Sequence, residues 1–284
     1  MRSLGILRAG AALCFIGHGA FGFITKAAWL PYFGVIGIPE PWAWRIMPWI
    51  GAVDVLAGMA VLFAPRRLPL LYMVVWGTWT ALLRPLAGEP VFEALERAGN
   101  FGVPLAFLVL TGWPRPRGWH SLVVPLTEAL TDPRTLAQVR GVLKWTTCLL
   151  LAGHGALGAI TGKPLLTAQY AAIGLPAETT ALVGWFEVAL AAAVAVRPAV
   201  GLLLFAAGWK LATESLFLVG GAPVWEFVER AGSYAAPLAL ASLVAGARPF
   251  AAAFRGKYSS RHAPHPAGTT PLRGHVPPVH RRGS

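Results

Sequence analysis

The tetrapeptide Gly17-His18-Gly19-Ala20 sits inside a long apolar run and returns as Gly153-His154-Gly155-Ala156 inside another. Around it, GHGAFGFIT (17–25) and GHGALGAIT (153–161) share seven of nine residues. Downstream, Ile36-Gly37-Ile38-Pro39 returns as Ile173-Gly174-Leu175-Pro176. PVFEALERAGNFGVPLA (90–106) returns as PVWEFVERAGSYAAPLA (223–239). The offset drifts only from 136 to 133 residues, so the copies differ by short loop changes. Self-similarity at one long period constrains a fold more than any single motif, because each copy has to be one structural unit.

The unit is a membrane unit. Hydrophobic residues make up 56% of the chain and charged residues only 13%, against about 25% charged in a soluble domain. Several runs reach the ~17–25 apolar residues that cross a ~30 Å hydrocarbon layer. No alternating ten-residue pattern points to a barrel. The expected fold is therefore all-α: a polytopic membrane protein whose eight transmembrane helices form two tandem four-helix bundles.

Residues 1–113 form the first module, with helices over about 9–25, 46–64, 68–86 and 91–113. A cytoplasmic linker covers 114–140. Residues 141–247 form the second module, with helices over about 145–161, 181–196, 198–219 and 224–247. A disordered basic cytoplasmic tail covers 248–284. Arg2 and Arg8 before an apolar run resemble a signal peptide. The internal copy cannot be cleaved as one, so the first run reads as a retained helix. Residues 26–45 carry Pro and aromatics, a composition suited to the membrane–water interface. In the segment 91–113 the purely apolar part, 101–110, is too short to span. A kink is expected there at Gly99-Asn100.

Four crossings per copy insert both copies the same way, as a parallel repeat about an axis along the membrane normal. With the N-terminus inside, 17 of the 24 Lys and Arg lie on inner segments, and ten of the 12 acids lie in the outer half. The positive-inside rule then places both termini on the cytoplasmic side. This sidedness also accounts for the net charge of +12 without nucleic acid. The tail holds seven Lys and Arg and no acid, a composition that favours contact with anionic lipid.

Ionisable side chains inside a membrane default to functional candidates. The first module offers His18, Asp54, Glu93, Glu96 and Arg97. The second offers His154, Glu187, Glu226, Glu229 and Arg230 at matching places, and adds Lys210 and Glu214 where the first has Gly77 and Ala81. Each set is expected to form one polar pocket in the outer half of its own bundle. His18 should pair with Asp54 or the Glu96/Arg97 turn, and His154 with Glu187 or the Glu229/Arg230 turn. The competing structural reading is that these groups only fix helix packing, and no catalytic residue is singled out.

Haem held by the two histidines is disfavoured, because each has a local acid. Cys14 and His18 share a helix face, but Cys148 and His154, six apart, do not. That mismatch argues against a repeated metal site, and both thiols read as packing residues.

Each module resembles a DoxX-like four-helix membrane protein. The resemblance rests on Phe15-Ile16-Gly17-His18-Gly19 with Lys26, and on Gly51-Ala52-Val53-Asp54-Val55-Leu56-Ala57-Gly58. In the second module it rests on Gly153-His154-Gly155, Lys163 and Gly184-Trp185-Phe186-Glu187, with Ala191 in place of the later glycine. The family usually carries one such bundle per chain. The resemblance implies a cytoplasmic-membrane protein with a loose link to quinone-dependent sulfur or thiol oxidation. Quinone is then the implied cofactor, and a redox protein in the lipid bilayer the implied partner. A small-solute transporter or binding protein is the alternative, and a bis-His haem protein the second alternative.

Overall fold

In the computed structural model the described residues are 2–112, 118, 120–126 and 131–259, with 247–259 described by backbone alone. The first apolar run is α1 (Arg2–Ile24). A 3-10 turn at Ala27–Trp29 and the short α2 (Leu30–Val35) follow. The next long helix, α3 (Glu40–Phe63), starts six residues before its expected position. Pro41 lies in its first turn, where the missing N–H has no helical acceptor to lose. Pro48 is carried inside it.

α4 (Arg67–Leu86) matches expectation. The fourth segment is broken into α5 (Phe92–Glu96) and α6 (Ala98–Leu110). The break falls at Arg97, not at Gly99-Asn100. α7 (His120–Val123) is a single turn. α8 (Pro133–Ala159) begins well inside the expected linker. Asp132 caps it by accepting the Thr135 N–H at 2.9 Å. Hydrogen bonds from Thr135 hold the Asp132 carboxyl below the usual carboxylate range.

The remaining helices are α9 (Pro164–Ala171), α10 (Thr179–Val196), α11 (Val200–Val219), α12 (Val224–Glu229) and α13 (Ala231–Ser259). The expected helix over 224–247 is thus broken at Arg230, as its counterpart is at Arg97. Residues 260–284, most of the expected disordered tail, lie outside the described residues, and the helical backbone runs on to Ser259. The chain is all-helical. No strand occurs among the described residues, only an isolated bridge between Arg66 and Pro125.

Among the described residues, four helical stretches are long and apolar enough to cross a bilayer: Ser3–Ile24, Glu40–Phe63, Thr179–Val196 and Val200–Val219. The pair Pro133–Ala159 and Pro164–Ala171, bent by 83°, makes a fifth if it is one span. The other expected crossings fall short for visible reasons. α6 has 13 residues and is about 20 Å long at 1.5 Å per residue. α4 carries an arginine at its first turn and another in its last. Large apolar side chains point outward: Val196 is 86% exposed, Trp49 76% and Leu182 70%. A surface of this kind is matched by lipid.

Residues 1–246 form one unit. α1 packs along α3 and also meets α12 and α6; α8 packs along α10 and also meets α5 and α6. One apolar core results, in which Leu7, Met73 and Phe107 join Leu143, Leu151 and Leu203. Two basic side chains close helix ends in parallel fashion. Arg8 donates to the Leu62 carbonyl at 2.7 Å near the end of α3, and Lys144 to the Ala195 carbonyl at 2.9 Å near the end of α10. A cation there satisfies a carbonyl that the helix leaves open and opposes the helix dipole.

One close crossing is between α6 and α13. A Cβ built on Gly99 would lie 2.6 Å from the Gly232 carbonyl carbon. Only glycine permits backbones to meet at that separation. This crossing sets the broken turns of the two halves, at Arg97 and Arg230, beside each other.

Candidate functional site

His18 faces Asp54 from the neighbouring helix, with Nδ1 2.7 Å from Oδ2. A carboxylate only accepts, so the imidazole Nδ1–H donates. Tyr72 of α4 donates to the other oxygen at 2.6 Å. Asp54 is fully buried, and these two bonds satisfy it. The indole of Trp29 stacks on His18 with ring centres 4.6 Å apart. With Nδ1 held by Asp54, Nε2 is the nitrogen left for other chemistry.

His18 is one wall of a cavity of about 240 Å³. Trp29, Tyr32, Phe33, Trp76 and Trp79 line it with aromatic rings. Arg84, Arg97, Asn100 and Thr80 supply the polar end, and Ile36, Ile38 and Ile46 the rim. Of the aromatic stretch 26–45, Trp29, Tyr32 and Phe33 line the cavity, whereas Trp42 is exposed. Tyr32 is fixed there by donating to Glu89 at 2.5 Å, and the Arg84 guanidinium lies 5.1 Å from its ring.

Behind the polar end stands an ion-pair cluster. Arg97 meets Glu93 at 3.0 Å and Glu96 at 3.3 Å; Arg84 meets Glu89 at 3.1 Å and Glu93 at 3.6 Å. Lys163, from the second half, reaches Glu93 at 2.6 Å and Glu96 at 3.8 Å. The reciprocal contact exists: Lys26, from the first half, meets Glu226 at 2.6 Å. Each half thus supplies a lysine to the acidic turn of the other. Of the first expected set, His18 and Arg97 share the cavity, and Asp54, Glu93 and Glu96 hold them from behind.

The second half is built differently. His154 Nδ1 pairs with Glu187, and the Trp209 indole N–H donates to Glu187 at 2.9 Å. Lys210 bridges Glu187 at 3.7 Å and Glu214 at 2.9 Å. Arg230 continues the chain to Glu214 at 3.1 Å, Glu226 at 2.6 Å and Glu229 at 3.5 Å, and lies 3.8 Å over Phe217. The expected second set is therefore one connected chain of charges. Lys210, Glu214 and Phe217 stand where the first half has Gly77, Ala81 and Arg84. His154 is 4% exposed, against 18% for the His18 side chain. The second histidine is sealed, whereas the first opens to a cavity.

A second space of about 10 Å³ lies between the broken turns, lined by Glu96, Arg97, Asn100, Glu229, Arg230 and Ser233. It is of the size of one water.

Sequence reasoning missed Trp29, Tyr32, Tyr72, Trp76 and Arg84 as site residues. It had Lys26 and Lys163 in view only as repeated positions. Their recurrence just after each Gly-His-Gly helix was the available signal.

Helices of membrane-crossing length with lipid-like outer faces, around a buried polar layer, define an α-helical membrane protein. No family model matches the chain, and no curated protein or solved structure matches it.

Proposed function

We propose that this chain is a DoxX-like integral membrane protein whose first half binds the head group of a quinone, within a quinone-linked redox system. The carrying observation is the cavity beside His18. Flat aromatic faces suit a planar ring, and the donors at its polar end suit ring carbonyl oxygens. The size and lining fit such a group. When bound, a quinone supplies two-electron, two-proton chemistry. His18 would hold or release a proton at Nε2, with Asp54 and Tyr72 fixing its orientation. Arg97 and Asn100 would orient the ring, and the aromatic lining would exclude water. The electrons require a partner redox protein.

On this reading the halves are tandem four-helix bundles with eight crossings, α5–α6 and α12–α13 each counting as one broken crossing. Both termini are cytoplasmic in a bacterial inner membrane, and the basic tail lies on anionic lipid. A reporter fused after Ser284 is expected to read cytoplasmic, and one inserted at Pro39 external; an external C-terminus would sink the orientation. A solute transporter would need a polar route to the inner face. The core below the cavity is apolar, with Leu7, Leu70, Met73 and Val103 each 0% exposed.

The test is extraction of the detergent-purified protein followed by mass spectrometry. A quinone should co-purify at close to one per chain, and His18→Leu should lower that occupancy. A protein that carries none, and takes up no added 2-methyl-1,4-naphthoquinone, would overturn the reading.

A further inference from the structure

The cavity has two guanidinium groups on its wall, which at first sight mark a site for an anion. The charges behind the wall say otherwise. Arg84, Arg97 and Lys163 supply three positive charges, and Glu89, Glu93 and Glu96 supply three negative ones, all within 4 Å contacts. Glu93 is the hub. It is 5% exposed, and it alone touches all three cations. The cluster is balanced before any ligand arrives. A carboxylate or phosphate would enter an apolar cavity with no net charge to meet it, at a large desolvation cost.

The cluster still leaves donors. The side-chain hydrogen bonds of Arg84 and Arg97 use only Nη1. Among the described residues, Nε and Nη2 of both have no hydrogen-bond partner, yet neither group is a buried orphan. Both residues line the cavity, and Arg97 also lines the small space between the broken turns. A neutral oxygen acceptor can take such a bond without disturbing the ion pairs.

Resting on the reading that this cavity is the ligand site, we infer that it selects an uncharged, oxygen-bearing apolar ligand, and that Glu93 is the residue that sets this selection. Lys163 completes the balance from the second half. The site in the first half therefore depends on the second half for its charge. In the second half, buried Lys210 and Glu214 stand at the positions of Gly77 and Ala81.

The test is equilibrium dialysis of four ring probes against the full chain in nanodiscs, with uptake by empty nanodiscs subtracted. The probes are 2-methyl-1,4-naphthoquinone, 1-acetonaphthone, 2-naphthoate and 2-methylnaphthalene. The wild type should bind the two neutral carbonyl probes about three- to tenfold more tightly than the hydrocarbon, the worth of a hydrogen bond. It should bind 2-naphthoate about tenfold or more weakly than 1-acetonaphthone. Glu93→Gln leaves the cluster one positive charge in excess and should raise 2-naphthoate affinity about tenfold or more. Adding Lys163→Gln restores the balance and should remove that gain.

Equal binding of 2-naphthoate and 1-acetonaphthone by the wild type would overturn the inference. So would a folded Glu93→Gln protein with unchanged 2-naphthoate affinity. Should Glu93→Gln alone fail to fold, the wild-type series and the balanced double variant decide. Binding of 1-acetonaphthone with exclusion of the naphthoquinone would overturn the quinone reading and support this one. Equal binding of the naphthoquinone and 2-naphthoate would do the reverse. No binding of any probe would overturn both.

Discussion

Lys210→Met is expected to destabilise the protein by about 3–5 kcal/mol, the loss typical of removing one partner from a buried ion pair. Lys210 is 1% exposed, and its carboxylate partners Glu187 and Glu214 are 0% and 1% exposed. Methionine keeps most of the volume and removes the charge. Glu214 then keeps only Arg230, and Glu187 only His154 and Trp209. Unfolding of the variant in nanodiscs, followed by heat or by added SDS, measures the loss. The double variant K210G/E214A places the first half's residues at these positions. It removes both charges together and should recover much of the stability, since deleting a whole buried pair is far milder than breaking it. It should also open space beside His154. A neutral Lys210→Met would mean that water reaches this cluster and screens it.

Gly99→Val should produce the second large effect. Its side chain would enter the Gly232 backbone, and backbone cannot rotate out of the way. Overpacking of this kind costs about 1–3 kcal/mol, occasionally more. The top of that range is expected, because the crossing joins the two halves. Arg97 sits two residues from the crossing and lines the cavity, so probe binding should weaken as well. Gly208→Ala is the matched control. Nothing lies within 4 Å of a Cβ there, and alanine in a helix interior is favoured over glycine by about 0.5–1 kcal/mol. Thermal unfolding of both variants decides the point: equal effects would mean that the α6–α13 crossing is not a tight one.

Helix boundaries separate what was readable locally from what was not. Read as a helix breaker, Pro133 makes residues 133–140 part of a linker. Asp132 followed by Pro133 is instead a helix start, a capping side chain before a residue that needs no N–H partner. The break before α6 was expected at Gly99-Asn100 because glycine loosens helices. Gly99 is instead used for close approach, and Arg97, held by Glu93 and Glu96, sits at the break.

By itself the sequence determined an all-helical, lipid-compatible chain and narrowed the partner of each histidine to two acidic sites within its own half. Apolar runs of spanning length impose helices, since no other segment satisfies its own backbone in hydrocarbon. His18 with Asp54 and His154 with Glu187 follow because α1 packs on α3 and α8 on α10, its successive long neighbours. Only the tertiary structure decided that Lys26 and Lys163 exchange halves, that Trp29, Tyr32 and Phe33 line a cavity, and that the second half instead carries a connected chain of charges. Lys26 and Glu226 are 200 residues apart. No periodicity encodes that contact. It follows from which small-residue faces of α1, α6, α8 and α13 can approach closely, and that is settled by the packing of all the helices together.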